Sequence, residues 1–246
     1  MATYAVVSDI HGNILALRAV VADMARRVAS KVINLGDNAS GPLWPLETTR
    51  ALMELDWIHA RGNHDRLISE GDLERLKPSD TYAYRHLGEA ERAWLGNLQP
   101  VSRAGDGIAA FHGLPEDDEG YLVETVEAGR TRLSSPREVR DRLGALRAGI
   151  ALCGHTHLQR CVRLGDGALV INPGSVGLPA YAEREENPHV VESGSPHARY
   201  AIVSSDGGSW MVDFILVEYD WDEAADKARA EGRLDWERAL RSGFMS

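Results

Sequence analysis

Five short apolar runs, each halting beside metal-capable side chains, constrain the folding of this 246-residue chain more than any other feature. They read "TYAVVSD" (Thr3–Asp9), "KVINLGD" (Lys31–Asp37), "DWIHARGNHD" (Asp56–Asp65), "GIAAFHG" (Gly107–Gly113) and "GIALCGHTH" (Gly149–His157). Each is β-rich and too short for a helix, so each predicts a buried strand that runs into a loop. The intervening segments have helical spacing. "NILALRAVVADMARR" (Asn13–Arg27) has Asn13 as its N-cap, and "PLETTRALMEL" (Pro45–Leu55) has proline in its first turn. A charged helical pattern covers 79–98, and a further helix is predicted over Pro136–Leu146.

The second half changes character. "CVRLGDGALVINPGS" (Cys161–Ser175) and "ARYAIVSSDGGSWMVDFILVEYD" (Ala198–Asp220) each place two apolar runs around a glycine-rich turn, the second at 206–209, and predict hairpins. Strands alternating with helices, followed by hairpins, predict an α/β protein with two packed sheets and helices outside. Residues 1–246 read as a single domain. They include a loop insertion near 178–197, with a solvated acidic tip at 183–187, and a polar helical tail over 221–246 that packs along the outside.

Charge and apolar runs restrict the class of partner. The formal net charge is −10 and no Lys/Arg block is long enough to follow a phosphate backbone, so long nucleic acid is not an expected partner. No run approaches the roughly 18 to 20 apolar residues of a membrane span, and "MATYAVVSD" lacks the regions of a signal peptide, so a cytoplasmic location is expected. Cys153 and Cys161 form no C-x-x-C pair and are expected reduced and buried.

Asp9, His11, Asp37, Asn63, His64, Asp65, His112, His155 and His157 all fall just beyond predicted strand ends. In layered α/β folds such ends converge on one edge, where ligand sites are built. Imidazoles, carboxylates and an amide oxygen, without a chelating thiolate pair, suit Mn, Fe, Zn, Ni or Co. The donors exceed what one ion needs, and two divalent ions about 3.5 to 4 Å apart would employ them all, the arrangement that clamps an in-line phosphoryl displacement.

In this order, "DIHGN", "GDNASGP", "GNHD", "FHG" and "GHTH" resemble the motif series of the calcineurin-like metallophosphoesterases. "NPGSVGLP" resembles the small bacterial and archaeal phosphodiesterase branch of that superfamily, and "GSPHARYAIV" its closing strands. One motif would be weak; five in order over about residues 4–178 are specific. The resemblance implies a four-layer sandwich of two mixed β-sheets flanked by helices. It also implies that Asp9, His11 and His157 bind one metal, that Asn63, His112 and His155 bind another, and that Asp37 bridges them. The implied cofactors are two divalent transition-metal ions, manganese first among them. The expected reaction is hydrolysis of a small or nucleotide-type phosphodiester by in-line attack of a metal-bridging hydroxide, without a phosphoenzyme.

His64 is expected to protonate or stabilise the leaving oxygen, with Asp65 orienting its imidazole. Asn38, Ser40 and Trp44, just after Asp37, are candidates for lining the substrate pocket, and His197 and Arg199 for contacting phosphate. His59, His86 and His189 lack motif partners and read as surface or packing residues. The serine-hydrolase elbow G-x-S-x-G is absent. "GDNASGP" lacks the arginine of the protein-phosphatase motif G-D-x-x-D-R-G, which lowers phosphoprotein as substrate but leaves small monoesters as an alternative. A catalytically silent binding scaffold is the third reading, disfavoured because every ligand position is filled.

Overall fold

A computed structural model describes residues 2–27, 29–105, 107–185, 187–206 and 209–246. One five-stranded sheet has the order β14 (Ser209–Val217), β13 (Ala198–Asp206), β1 (Ala2–Val7), β2 (Lys31–Asn34), β3 (Ile58–His59). A second has the order β4 (Val101–Ala104), β5 (Ile108–Phe111), β8 (Ile150–Leu152), β10 (Leu169–Pro173), β9 (Gln159–Arg163). Both are mixed. β1, β2 and β3 pair in parallel, with β13 antiparallel to β1. In the second sheet β5, β8 and β10 are parallel, and β4 and β9 close the edges antiparallel.

Strand alternation divides the core into layers, because successive side chains point to opposite faces. Tyr4 and Val6 of β1 pack with Ile108, Ala110, Ile150 and Leu152 between the two sheets. Ala5 and Val7 face the other way, against Ile14, Leu17 and Val20 of helix α1 (Ile14–Met24). Ala109, Phe111, Ala151 and Cys153 point out of the second sheet toward Val139 and Leu143 of α6 (Pro136–Leu143). Helix, sheet, sheet, helix is thus the four-layer sandwich with mixed sheets.

Asn13 caps α1 by accepting from the Ala16 amide at 3.1 Å, and α2 (Pro45–Met53) starts at its proline. The charged stretch forms α4 (Pro78–His86) and α5 (Glu89–Asn97). Positions 207 and 208 of the β13–β14 turn and position 186 of the acidic tip lie outside the described residues.

Three expectations are corrected. "GNHD" is not a loop: Asn63, His64 and Asp65 form the first turn of α3 (Asn63–Glu70), because Asp65 reaches back to accept from the Gly62 amide at 3.0 Å. The segment near 178–197 is not a loop but carries β11 (Ala180–Glu183) and β12 (His189–Glu192). These join β7 (Arg130–Leu133) and β6 (Glu124–Glu127) in a third sheet of order β11-β12-β7-β6. Sequences such as "RTRL" and "AYAE" hide their pairing, since they lack a clear apolar alternation. Cys161 is exposed, because it faces outward on edge strand β9, whereas Cys153 is buried.

The tail forms α7 (Trp221–Ala230) and α8 (Leu234–Ser242), and it does more than coat the outside. Ala224, Ala228, Trp236 and Leu240 are buried against the loop residues Leu43 and Leu178 and against Ala180 of β11. The fit is close: a Cβ on Gly41 would stand 2.5 Å from the Trp236 indole. No helix of the described residues is long and apolar enough to cross a membrane.

Leu152 is fully buried between the two sheets. Leu152→Ala should destabilise the protein by about 3 kcal/mol, from lost transfer energy plus the cavity left behind, as read from the urea midpoint at unchanged slope.

Candidate metal centre

The strand ends converge as the sequence pattern requires, and the backbone there takes an uncommon conformation. Asp9 (φ 56°), His11 (50°), Asp37 (58°), His155 (69°) and His157 (57°) are five of the seven non-glycine residues with positive φ among the described residues. Each such residue carries strain on the order of 1–2 kcal/mol, tolerated where surrounding contacts over-determine it. Those contacts are present. The Asp9, His11 and Gly12 amides donate to the Gly36, Asp37 and Asn38 carbonyls at 2.9–3.0 Å, and Gly177 donates to the Asp9 carbonyl at 2.9 Å. The Asp65 carboxylate accepts from the Asp37, Asn38 and Gly62 amides and from the Asn38 side chain, at 2.9–3.0 Å. Gly62 passes so near that a Cβ there would lie 2.1 Å from Asp37 Oδ1.

Two triads result, Asp9–His11–His157 and Asp37–His112–His155, each with its donor atoms within 4.8 Å of one another. Four backbone carbonyls fix the imidazole tautomers. His11, His112 and His157 give their Nδ1 protons to Ser40, Leu35 and Leu178 at 3.0, 2.9 and 2.7 Å. His155 gives its Nε2 proton to Glu119 at 2.9 Å, which turns Nδ1 toward the centre. His155 and His157, one residue apart, therefore belong to different triads.

The centre fits divalent cations on the evidence of its own atoms. Asp9 Oδ1, Asn63 Oδ1 and His112 Nε2 are buried without a hydrogen-bond partner. His11 Nε2 and His157 Nε2 lie 3.1 Å apart, each the ring nitrogen not committed to a backbone carbonyl. That is the spacing of two nitrogens each roughly 2.0–2.1 Å from a shared cation at near a right angle. Burial and the neighbouring His157 push His11 down to about 3, and burial with His112 pushes His155 down to about 4, which leaves both imidazoles neutral at pH 7 and able to accept a metal ion. Burial alone would raise Asp9 and Asp37. The adjacent histidines outweigh it, holding Asp9 at about 2 and Asp37 well below the usual carboxylate range.

Thr156, between the two histidines, anchors their loop. It donates to Glu124 Oε2 at 2.6 Å and accepts from Asn172 Nδ2 at 3.0 Å, while the same amide holds the Gly154 carbonyl at 2.7 Å. Arg160 lies 3.0 Å from the other Glu124 oxygen.

Asp65 does not orient His64. Consecutive residues of a helical turn point in different directions, and Asp65 is occupied by the Asp37 loop. The partner of His64 Nδ1 is Asp80 in the first turn of α4, at 2.7 Å. His64 Nε2 stands 4.0 Å from Asp37 Oδ2. Burial would lower the His64 pKa, but the charges of Asp80 and Asp37 outweigh it and hold the imidazole protonated up to about 10.

The centre opens into a cleft of about 970 Å³, walled by α3, α4, the third sheet and α8. Ser40 lines it, through the loop that holds His11. Asn38, Trp44, His197 and Arg199 do not. The Asn38 amide is occupied by Asp65 and Asn34, and Trp44 packs between α1 and the tail helices. Arg199 donates to the Ser193, Ser195 and His197 carbonyls, and His197 packs against Trp221. His189 is the reverse case: it lines the cleft rather than the outer surface. Asp80, Glu124, Tyr121, Tyr181 and Trp236 also line or support the site without a sequence signal, apart from the length of the segment that carries Tyr181.

Comparison with known proteins agrees with this geometry. Residues 3–193 match the calcineurin-like phosphoesterase superfamily domain. An uncharacterized protein of Methanocaldococcus jannaschii is 39% identical over 245 residues, 94% of each chain. The fold is shared with a metallophosphoesterase from Sphaerobacter thermophilus, at TM-score 0.75, 23% identity and 99% of both chains. It is shared also with a hypothetical protein from Pyrococcus horikoshii OT3, at TM-score 0.77, 21% identity and 100% of both chains. The chain belongs to the calcineurin-like phosphoesterase superfamily.

Two outcomes follow from the supporting contacts. Thr156→Val should weaken divalent-ion binding at both triads, by about tenfold or more, in a calorimetric titration of the metal-free protein; an effect on neither triad would remove Thr156 from this role. In the metal-free protein, Asp80→Asn should lower the midpoint of the His64 ring-proton NMR titration by roughly 1 to 3 pH units.

Proposed function

We propose that the protein is a two-metal phosphodiesterase acting on small or nucleotide-type esters. The observation that carries the proposal is the pairing of two adjacent triads in one cleft with a hydrogen-bonded His64–Asp80 pair at their edge. Asp9, His11 and His157 would hold one divalent ion, and His112, His155 and Asn63 the other, with Asp37 between them. The N/O donor set suits manganese, and iron, zinc, nickel or cobalt as well. When bound, the two ions supply Lewis acidity that activates water near neutral pH and offsets phosphoryl charge.

The chain's own residues supply the rest. Asn63 adds an amide to the face where phosphoryl charge develops. His64, charged and oriented through Nδ1 by Asp80, presents Nε2 beside Asp37 and donates a proton to the departing alkoxide. Two guanidinium groups of the cleft wall are committed elsewhere, which favours a monoanionic diester over a dianionic monoester. Arg142 donates to the Leu122 and Glu124 carbonyls and to Ser134, and Arg233 to Asp235 and Ser79. No serine or cysteine nucleophile is required, and Cys153 faces the core with its thiol pushed well above the usual range by burial.

Chelation should abolish hydrolysis of bis(p-nitrophenyl) phosphate and added divalent metal should restore it; no recovery with any metal would refute the proposal. His64→Ala should keep its metal content and lower kcat by about 10²-fold on an alkyl diester, with a smaller loss on the aryl diester, whose leaving group needs no proton.

A further inference from the structure

The third sheet brings to the cleft wall a hydrogen-bonded chain for which the hydrolytic chemistry has no use. Tyr121 Oη lies 2.6 Å from Tyr181 Oη and 2.9 Å from His189 Nε2, and His189 Nδ1 lies 2.7 Å from the Asn187 carbonyl. Both tyrosines and His189 line the cleft that holds the two triads. The Tyr181 ring packs edge-on against His157, with centroids 4.7 Å apart, and the Tyr121 ring against His155, at 5.1 Å.

The direction of the protons can be deduced. A carbonyl only accepts, so His189 carries a proton on Nδ1, and the tautomer with its single proton there offers Nε2 as an acceptor. Tyr121 supplies that proton. Two oxygens 2.6 Å apart must also have a proton between them, and with the Tyr121 proton committed it comes from Tyr181. The competing arrangement sends the Tyr181 proton to the His155 carbonyl at 3.4 Å, and it gives up the 2.9 Å bond to His189 for that longer contact. The shorter pair of bonds prevails.

Tyr181 Oη is thereby left beside the metal-binding histidines with its proton turned away and a lone pair for the cleft. It cannot hold a phosphoryl oxygen, which is itself an acceptor. We infer that Tyr181 is a specificity-determining acceptor for a hydroxyl carried by the substrate's organic group next to the phosphoryl centre, as in ribose or glycerol esters. An ammonium group would also donate, but there it would face the divalent ions. This assignment rests on the proposed hydrolytic reading and adds the substrate class to it.

A matched pair tests it: a diribonucleotide and its 2′-deoxy counterpart, with bis(p-nitrophenyl) phosphate as a diester lacking any hydroxyl. The metal-loaded wild type should favour the ribo substrate in kcat/KM by about tenfold, the worth of one hydrogen bond. Tyr181→Phe should bring that ratio close to one. Tyr121→Phe keeps the Tyr181 oxygen but frees its proton, and it should reduce the ratio too; circular dichroism and bound-metal content report whether each variant is intact. If the wild type hydrolyses the aryl diester but treats the two dinucleotides alike, or if the preference survives Tyr181→Phe, the inference is overturned and the hydrolytic reading stands. If the wild type hydrolyses none of the three with any metal, both fall.

Discussion

The packing of imidazole nitrogens and carboxylates into a buried junction at the strand ends is the constraint on which the rest of the structure depends. His11 Nε2 and His157 Nε2 face each other at 3.1 Å, and Asp9 Oδ1 sits 3.3 Å from His157 Nε2 and 3.8 Å from His112 Nε2. Removing such groups from water without partners costs several kcal/mol. The fold must therefore hold the donors rigidly enough that a cation, not a rearrangement, relieves them. Left-handed backbone at five donors aims them inward, and the amide contacts to the Gly36, Asp37 and Asn38 carbonyls keep them there.

Around that junction the two large sheets act as a mount and the peripheral elements as the selective part. The mount is apolar and regular: Val6, Leu152 and Ile171 hold the sheets together and fix where the strands stop. The cleft walls come from elsewhere, from Lys77 and the start of α4 with Ser79, from the third sheet with Tyr181 and Glu183 and the segment before it with Tyr121, and from α8 with Trp236. Lys77 donates to Glu183 across the cleft at 3.0 Å, and Arg233 of the segment before α8 donates to Ser79 at 2.8 Å. These exposed bonds contribute little to stability. Their consequence is geometric, since they set the distance between the walls against which a substrate's organic group would lie.

The residues recognised from sequence are those whose role is tied to local periodicity. Asp9, Asp37, His112, His155 and His157 each end an apolar run, and a strand of period two cannot end without placing its next polar residues at the sheet edge. Asn13 as a helix cap was legible for the same local reason. Asp65, next to His64 in sequence, holds the Asp37 loop instead, because a helical turn points neighbouring side chains apart. Arg199 and Asn38 were misread because proximity to a motif does not reveal which carbonyl or carboxylate occupies a side chain.

By itself, then, the sequence determined the sandwich, the order of its strands along the chain and the donor set of the centre, since apolar alternation and strand termination are local properties. Tertiary structure alone decided which donors share a triad, that Asp80 rather than Asp65 holds His64, and that a third sheet of short, charged strands carries Tyr121, Tyr181 and His189 into the cleft. Those outcomes depend on contacts such as His64–Asp80 and His11–His157, 16 and 146 positions apart. No run of neighbouring side chains encodes such a pairing, because it is settled only when sheets, helices and tail close on one another.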